Sequence, residues 1–296
     1  MRPAGINRAF LDPVVAGTEV DVFYHLGLRS TDPVLDELRD ISAVVVGGSG
    51  ARLAGLAAAW SSLHGGANVL ALPKADRFVT HYCAGVLFVS HGMGMASASI
   101  AMQELMRLVY VLKRGDLDAL DAVFWARIGT SGGIGLAPGT VVVSTEGVMA
   151  DLRPYRVLHD GESVFFPGVF PARVVEAIVA ANADAAFPIV TGRTVAGNEF
   201  FLEQARLDGA IVLDTAESKQ RWLESLESAG VVNIEMEGAM FAGYLGHWGF
   251  PEFAMVCCTL LDRLEGDQVV STADELAAFE ARAAAVLFNY LQETGR

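Results

Sequence analysis

The nine residues Arg127-Ile-Gly-Thr-Ser-Gly-Gly-Ile-Gly135 gather the groups best suited to hold a small anion. An arginine, two hydroxyls and four glycines follow Ala122–Ala126, a short apolar run expected to be a buried strand. Glycines let backbone N–H groups approach an anion closely, and arginine adds a forked cation at the end of a strand, where open α/β sheets bind ligands. The segment reads equally as a tight strand-to-strand turn with a surface arginine, and both readings stand open at this point. Two other glycine turns occupy comparable places. Gly47-Gly48-Ser49-Gly50 lies between an expected strand, Ile41 to Val46, and an expected helix, Arg52 to Leu63, where helical N–H groups favour an anion. No Gly-Lys-Ser/Thr follows, so this is not a Walker loop. His91-Gly-Met-Gly-Met95 follows the run Tyr82 to Ser90, expected to be one strand, and leads into a helix from Ser97 to about Leu112. It lacks the third glycine of a dinucleotide fingerprint and the acid that should end a following strand, which argues against a Rossmann cofactor.

Gly48 with Arg52, Arg127 with Thr130, and the turn carrying Arg77 thus combine glycines, expected strand ends and guanidinium groups. Glu235 and Glu237 sit at the end of another expected strand, Val231 to Ile234. A carboxylate there could hold vicinal sugar hydroxyls; alternatively both acids simply occupy the favoured first turn of a helix.

Composition bounds what these residues could serve. The chain has 296 residues, 52% of them hydrophobic and 19% charged, enough to bury a substantial core and inconsistent with disorder. A net charge of −14 argues against a nucleic-acid surface but leaves room for a small anion where arginines converge. Three cysteines, with Cys257 and Cys258 adjacent, have no zinc-site spacing and suit a reducing cytoplasm. Arg8, Asp12 and nearby prolines interrupt any signal-peptide pattern. Phe78 to Gln103 contains no Asp, Glu, Lys or Arg, but its histidines, glycines and serines fit a strand, a glycine turn and a buried helix better than a membrane span.

Beyond the Arg127 loop the pattern predicts a strand over Thr140–Ser144 and an irregular polar and aromatic insertion over Asp151–Pro171. A helix over Ala172–Ala183, a strand over Pro188–Val195 and a helix over Ser218–Ala229 follow. Asn198–Leu207 fits no clear class. Glu235 and Glu237 enter a helix running to about His247; Phe253–Leu261 is a near-continuous apolar strand, and Thr272–Leu291 a closing amphipathic helix. With no repeat or low-complexity linker, a single α/β domain over residues 1–296 is expected.

Several long stretches in order resemble one family, the animal and trypanosomatid-type uridine phosphorylases of the nucleoside phosphorylase-I superfamily. They are Phe23-Tyr-His-Leu-Gly-Leu28, Val46-Gly-Gly-Ser49 with Arg52, Ser90-His-Gly-Met-Gly94, Arg127 to Pro138, Gln204-Ala-Arg-Leu-Asp-Gly-Ala210, Asn233-Ile-Glu-Met-Glu237 and Leu261-Asp-Arg-Leu-Glu-Gly-Asp-Gln268. The resemblance implies a three-layer α/β/α nucleoside phosphorylase-like fold with a central mixed, partly barrelled sheet. It implies reversible phosphorolysis of uridine to uracil and ribose 1-phosphate in pyrimidine salvage, with deoxyuridine and thymidine as further substrates. Inorganic phosphate is then a co-substrate, and no cofactor or metal is expected.

On that resemblance, Gly48, Arg52, Arg127 and Thr130 hold phosphate, joined by Arg77 from a neighbouring subunit. His25, also from the neighbour, contacts the ribose 5′-hydroxyl, while Thr130, Met236 and Glu237 bind ribose. Gln204 and Arg206 read the base, Phe200 forms an aromatic wall, and Leu260, Leu261 and Val269 fall at the base pocket and closing loop. Arg127, Arg206 and Glu237 are the catalytic candidates. The implied assembly is a homodimer or higher homo-oligomer with shared sites, to which an N-terminal arm of about residues 1–40 contributes. Partners are a nucleoside and phosphate, with no nucleic acid and no membrane.

Asp262 departs from the family, which usually has asparagine there; a carboxylic acid could protonate a purine leaving group. Arg263 could line the base pocket or pair with Asp262 or Glu265. Broader-specificity or purine phosphorolysis, phosphate-independent nucleoside hydrolysis, and a catalytically silent nucleoside-binding role remain as alternatives.

Overall fold

The computed structural model describes residues 5–72 and 77–296, which form two compact units. One contains the residues up to Arg127 with His247–Phe253 and Arg296; the other contains Ile128–Gly246 with Ala254–Gly295.

In the first unit, α1 (Arg8–Val15) precedes the two-residue strands β1 (Val22–Phe23) and β2 (Leu28–Arg29), which pair antiparallel. β3 (Ala43–Gly47), α2 (Gly50–Leu63), β4 (Leu70–Ala71), β5 (Thr80–Cys83), β6 (Val86–Ser90), α3 (Met95–Leu112) and α4 (Leu117–Asp121) follow. β7 (Phe124–Gly133) starts in this unit and carries the chain into the other. β3 is central, parallel to β6 on one side and to the first residues of β7 on the other, so Gly47 lies beside Ser90 and Val46 beside Arg127. Every residue of β3 and β6 is buried, which explains their unbroken Val and Leu runs.

The stretch Tyr82–Ser90 is not one strand. It is an antiparallel hairpin turning at Ala84 and Gly85, with φ of 43° and 81°. Two positive φ values match the twist of paired strands, but Ala-Gly lacks the Asn-Gly or Asp-Gly signature, so two buried strands merge into one apolar run in sequence. The uncharged residues up to Gln103 then continue through β6 into α3, whose length is 18 residues and whose buried positions include Met95, Ala98, Ala101, Met102 and Leu105. Among the described residues no helix is long and apolar enough to cross a membrane.

The second unit adds β8 (Val141–Met149), β9 (Tyr155–His159), β10 (Glu162–Phe166), β11 (Gly168–Val169), α5 (Ala172–Ala180), β12 (Ile189–Ala196) and α6 (Ala216–Ser228). It ends with β13 (Val231–Glu235), α7 (Gly238–Trp248), β14 (Phe253–Asp262) and α8 (Ala273–Glu293). β12 is parallel to β8 and β13, β13 is antiparallel to β7, and β14 pairs with both β7 and β8. These pairings close β7, β13, β12, β8 and β14 into a ring, giving the mixed, partly barrelled sheet of the expected α/β fold. Val148, Val195, Val231 and Ile234 of the ring pack with Leu223 and Leu226 of α6 and with Ile134.

Two further sequence readings change, and one stretch of no clear class is resolved. Asp151–Pro171 is not irregular: β9 and β10 form a hairpin around Asp160-Gly161, at φ 54° and 80°, a turn signal that was present in the sequence. Asn198–Leu207 is irregular turns and bends rather than a helix or strand. Arg127 to Gly133 is strand rather than loop, with Gly133 opposite Asn233 and Gly132 opposite Ile234.

Candidate active site

In the first unit, two glycine turns form at the ends of neighbouring parallel strands. Ser49 caps α2, its Oγ accepting from Arg52 N at 3.3 Å. A Cβ on Gly48 would lie 3.0 Å from Gly92 O, so the approach of the two turns favours a small residue there, while one on Gly50 would crowd the Val79 side chain at 3.0 Å. His91 N donates to Gly47 O at 2.8 Å, and Ser97 Oγ donates to His91 O at 2.6 Å, which ties the β6–α3 turn to the β3–α2 turn. Gly92 and Gly94, at φ 71° and 83°, occupy backbone that other residues rarely adopt. Arg127 is buried beside Val46, at the same strand-end edge as Gly48 and Arg52. The structure therefore brings Gly48, Arg52 and Arg127 to one edge, while Arg77 is exposed on the chain leading to β5.

His25 follows β1. Its Nδ1 lies 2.8 Å from Glu104 Oε1 on α3, and its backbone N–H donates to both Glu104 oxygens at 3.1 and 2.9 Å.

In the second unit, the ribose candidates lie in the second half of β7 and just beyond the end of β13. Thr130 on β7 and Met236 after β13 are half-buried, and Glu237 is buried. The two acids have separate tasks. Glu235 Oε2 accepts from Glu237 N at 2.9 Å and Oε1 from Gly238 N at 2.8 Å, so its carboxylate caps α7. A Cβ at Gly238 would lie 2.5 Å from Met255 Cε, so any larger residue where the helix starts would displace the end of that methionine side chain. Beneath these positions, four buried side chains link four strands. Ser144 Oγ and Thr194 Oγ1 are 2.7 Å apart, Thr194 donates to Asn233 Oδ1 at 2.7 Å, and Asn233 Nδ2 donates to Ser131 Oγ at 2.9 Å. Because the Thr194 proton goes to Asn233, Ser144 is the donor in the first pair. This chain fixes β13 against β7 and so the spacing of Met236 and Glu237 from Thr130.

The base candidates lie on two irregular segments knit by charge. Arg206 donates from Nε to Asp208 Oδ1 at 2.8 Å and from Nη2 to Asp208 Oδ2 at 2.6 Å; Nη2 also donates to Asp267 O at 2.8 Å. Its guanidinium lies 4.5 Å from the Phe200 ring centroid, and Phe200 stands edge-on to Phe201 at 5.1 Å. Arg263 is 1% exposed and donates to Gln204 O at 2.6 Å, to Gln204 Oε1 at 3.4 Å and to Asp267 Oδ1 at 3.1 Å. Asp267 also accepts from Lys219 Nζ at 2.8 Å and Leu207 N at 3.0 Å.

Arg263 thus pairs with Asp267 and Gln204, not with Asp262 or Glu265. Asp262 Oδ1 instead accepts from Gly135 N and Leu264 N, each at 3.0 Å. Burial pushes the Arg263 guanidinium down from its usual value. Burial alone would raise the Asp267 carboxyl, but the Leu207 N–H, Lys219 and Arg263 hold it below the ordinary carboxylate range. The Arg206 hydrogen bond likewise lowers Asp208. Two arginines and a lysine against two aspartates leave one net positive charge beside the buried Gln204. Leu260 and Leu261 are half-buried at the end of β14, whereas Val269 is 42% and Val270 89% exposed.

Packing also explains two glycines of the Arg127 segment, one through Arg263 and one through Leu136. A Cβ on Gly132 would lie 2.8 Å from Arg263 Cγ, and one on Gly133 would lie 3.0 Å from Leu136 Cβ. Sequence reasoning missed Asp208, Asp267, Lys219 and Glu104 as supports. The spacing of Arg263 with Asp267 and of Arg206 with Asp208 was a local signal, but the pairings of Lys219 with Asp267 and of Glu104 with His25 join distant segments and had none.

The family model described as Phosphorylase superfamily matches residues 42–294. The chain is 34% identical over 293 residues to uridine phosphorylase 1 of Mus musculus, covering 96% of this chain and 91% of that protein. It is 32% identical over 282 residues to inactive uridine phosphorylase B of Schistosoma mansoni, covering 92% of each. The structure of Schistosoma mansoni uridine phosphorylase in complex with uracil aligns with a TM-score of 0.88 and 31% identity, covering 98% of this chain and 99% of that one.

Proposed function

Because the chain belongs to the uridine phosphorylase family of the phosphorylase superfamily, we propose that it catalyses the reversible phosphorolysis of uridine to uracil and ribose 1-phosphate. The observation that carries this reading is the pair Gln204 and Arg206, held in place by Arg263, Asp208 and Asp267. Uracil presents alternating carbonyl and N–H groups. Arginine only donates, so Gln204 Oε1 faces Arg263; its remaining lone pair accepts from the base N–H while Nε2 donates to the adjoining carbonyl. Asp208 engages Nε and Nη2 of Arg206, which leaves Nη1 to meet a uracil oxygen.

Gly48, Arg52, Arg127 and Thr130 take inorganic phosphate, with Arg77 supplied by a second copy. Met236 and Glu237 take the ribose, with Glu237 on the secondary hydroxyls. His25 takes the 5′-hydroxyl, Phe200 flanks the base, and Leu260 and Leu261 supply apolar contact. As the glycosidic bond to uracil breaks, its electron pair moves into the base and positive character develops at the anomeric carbon, where a phosphate oxygen forms the new bond. The arginine-bound phosphate is the nucleophile, so catalysis needs orientation and charge stabilisation rather than a protein nucleophile. The net positive Arg206–Arg263 network opposes the charge appearing on uracil.

Phosphate-dependent release of uracil with matching ribose 1-phosphate tests the reading. Uracil released at the same rate without phosphate would make the chain a nucleosidase. Binding of uridine and phosphate with no product would make it a silent binder, an outcome worth testing because one relative is described as inactive.

A further inference from the structure

We propose that Glu104 is the positioning residue for the ribose-binding histidine, fixing the His25 imidazole with Nδ1–H inward and Nε2 outward toward the nucleoside 5′-hydroxyl. This rests on the reading of His25 given above. Glu104 projects from α3 with its side chain 8% exposed, and its two oxygens make four contacts with three donors of the His25 segment. The backbone N–H of His25 reaches both oxygens, the N–H of Leu26 reaches Oε2 at 3.0 Å, and the imidazole Nδ1 reaches Oε1 at 2.8 Å.

A carboxylate in this place can only accept, so Nδ1 carries the proton and Nε2 is the nitrogen presented outward. Arg107 adds its Nη2 at 4.0 Å from Oε1 while its Nη1 is held by Asp21 at 2.8 Å. Tyr24 meets the imidazole edge-on at 5.1 Å and Phe78 lies tilted at 6.2 Å, so packing also restrains the ring. The imidazole is one-third exposed, beside a groove of about 520 Å³ lined by Phe10, Ser99, Ile100 and Gln103. One buried carboxylate therefore sets the backbone turn, the ring orientation and the tautomer together. Residues that orient a ligand-binding histidine through its other nitrogen act in this way elsewhere.

The test compares uridine with 5′-deoxyuridine, which lacks only the hydroxyl in question. In Glu104→Gln the amide can donate to Nδ1, moving the ring proton to Nε2. We expect kcat/KM for uridine to fall about tenfold while that for 5′-deoxyuridine stays nearly constant, and no further loss of discrimination when His25→Gln is added. Equal losses for both substrates would assign Glu104 a purely structural role and overturn the proposal. Unchanged discrimination in His25→Gln alone would overturn the underlying assignment of His25 as well. Nitrogen-15 spectra of histidine-labelled wild-type protein, with His25 identified from His25→Gln, supply a readout that does not require a folded Glu104 variant. A protonated Nδ1 is the expected result, and an Nε2–H tautomer refutes the proposal.

Discussion

The phosphate-side and base-side residues are built by different physics. Gly48, Arg52 and Arg127 sit where buried parallel strands end, and their turns are held largely by backbone hydrogen bonds and by glycines without room for a Cβ. Gln204 and Arg206 sit on an irregular segment held by five charged side chains from three stretches of chain. The first arrangement needs particular backbone conformations; the second needs charges to balance. Substitutions should therefore fail differently in the two regions.

The largest effect is expected at Arg127. Arg127→Ala should lower kcat/KM by about a hundredfold to a thousandfold, with phosphate KM raised, because on the proposed reading the buried Arg127 orients the phosphate nucleophile. Steady-state kinetics varying phosphate at saturating uridine checks this. A loss confined to uridine KM would remove Arg127 from the phosphate side. Sharing of sites between copies is tested by mixing Arg77→Ala with Arg127→Ala subunits. We expect verified heterodimers to regain activity through one intact site, and none would be regained if each chain supplied its own Arg77.

Asp267 should produce the next largest effect, chiefly on stability. Asp267→Ala leaves Lys219 and Arg263 without their shared carboxylate, and loss of one partner in a buried ion pair costs about 3–5 kcal/mol. Chemical denaturation would show the lowered midpoint, and base discrimination should weaken as Gln204 loses its support. The pH dependence has a definite sign. A carboxyl whose folded pKa is lowered contributes fully above its unfolded value of about 3.9, and that contribution is lost as pH falls through the lower folded value. Asp267→Asn should therefore flatten the acid limb of the stability profile; an unchanged limb would deny Asp267 this role.

Gly132 separates the two kinds of construction within one segment. In sequence it looked like part of an anion loop, because four glycines in nine residues resemble a backbone cradle. It is instead in strand, and its missing Cβ makes room for the Arg263 stem, a contact between residues 131 positions apart that no local pattern could reveal. The glycine turns at Gly48 and Gly92 were legible because their strand–turn–helix settings are local. The hairpin at Ala84-Gly85 was not, since two buried strands share one apolar pattern. The base-side residues Gln204 and Arg206 were found through resemblance, and Asp208 is their near neighbour in sequence, but Lys219 and Asp267 join them only through tertiary contact. Gly132→Ala should cost about 1–3 kcal/mol and lower uridine kcat/KM while leaving phosphate KM nearly constant. A selective rise in phosphate KM would restore the anion-loop reading.

The smallest effect is expected at Asp262, the residue that most complicates substrate choice in sequence. Its Oδ1 accepts from Gly135 N and Leu264 N, and an asparagine could present an oxygen to the same two groups at the same place. The capping task does not require the negative charge, whereas protonating a purine leaving group would require an ionisable acid. Asp262→Asn should consequently leave uridine kcat/KM within about twofold and the denaturation midpoint almost unchanged, since equivalent hydrogen bonds survive the exchange. Assays of uridine, deoxyuridine, thymidine and inosine on both proteins separate the two tasks. If wild type cleaves inosine and Asp262→Asn loses that activity alone, the carboxyl is a proton donor and the chain is a broader-specificity phosphorylase. If inosine is inert with both proteins while uridine turns over equally, Asp262 acts through its oxygen as a backbone cap, and base choice rests with Gln204 and Arg206.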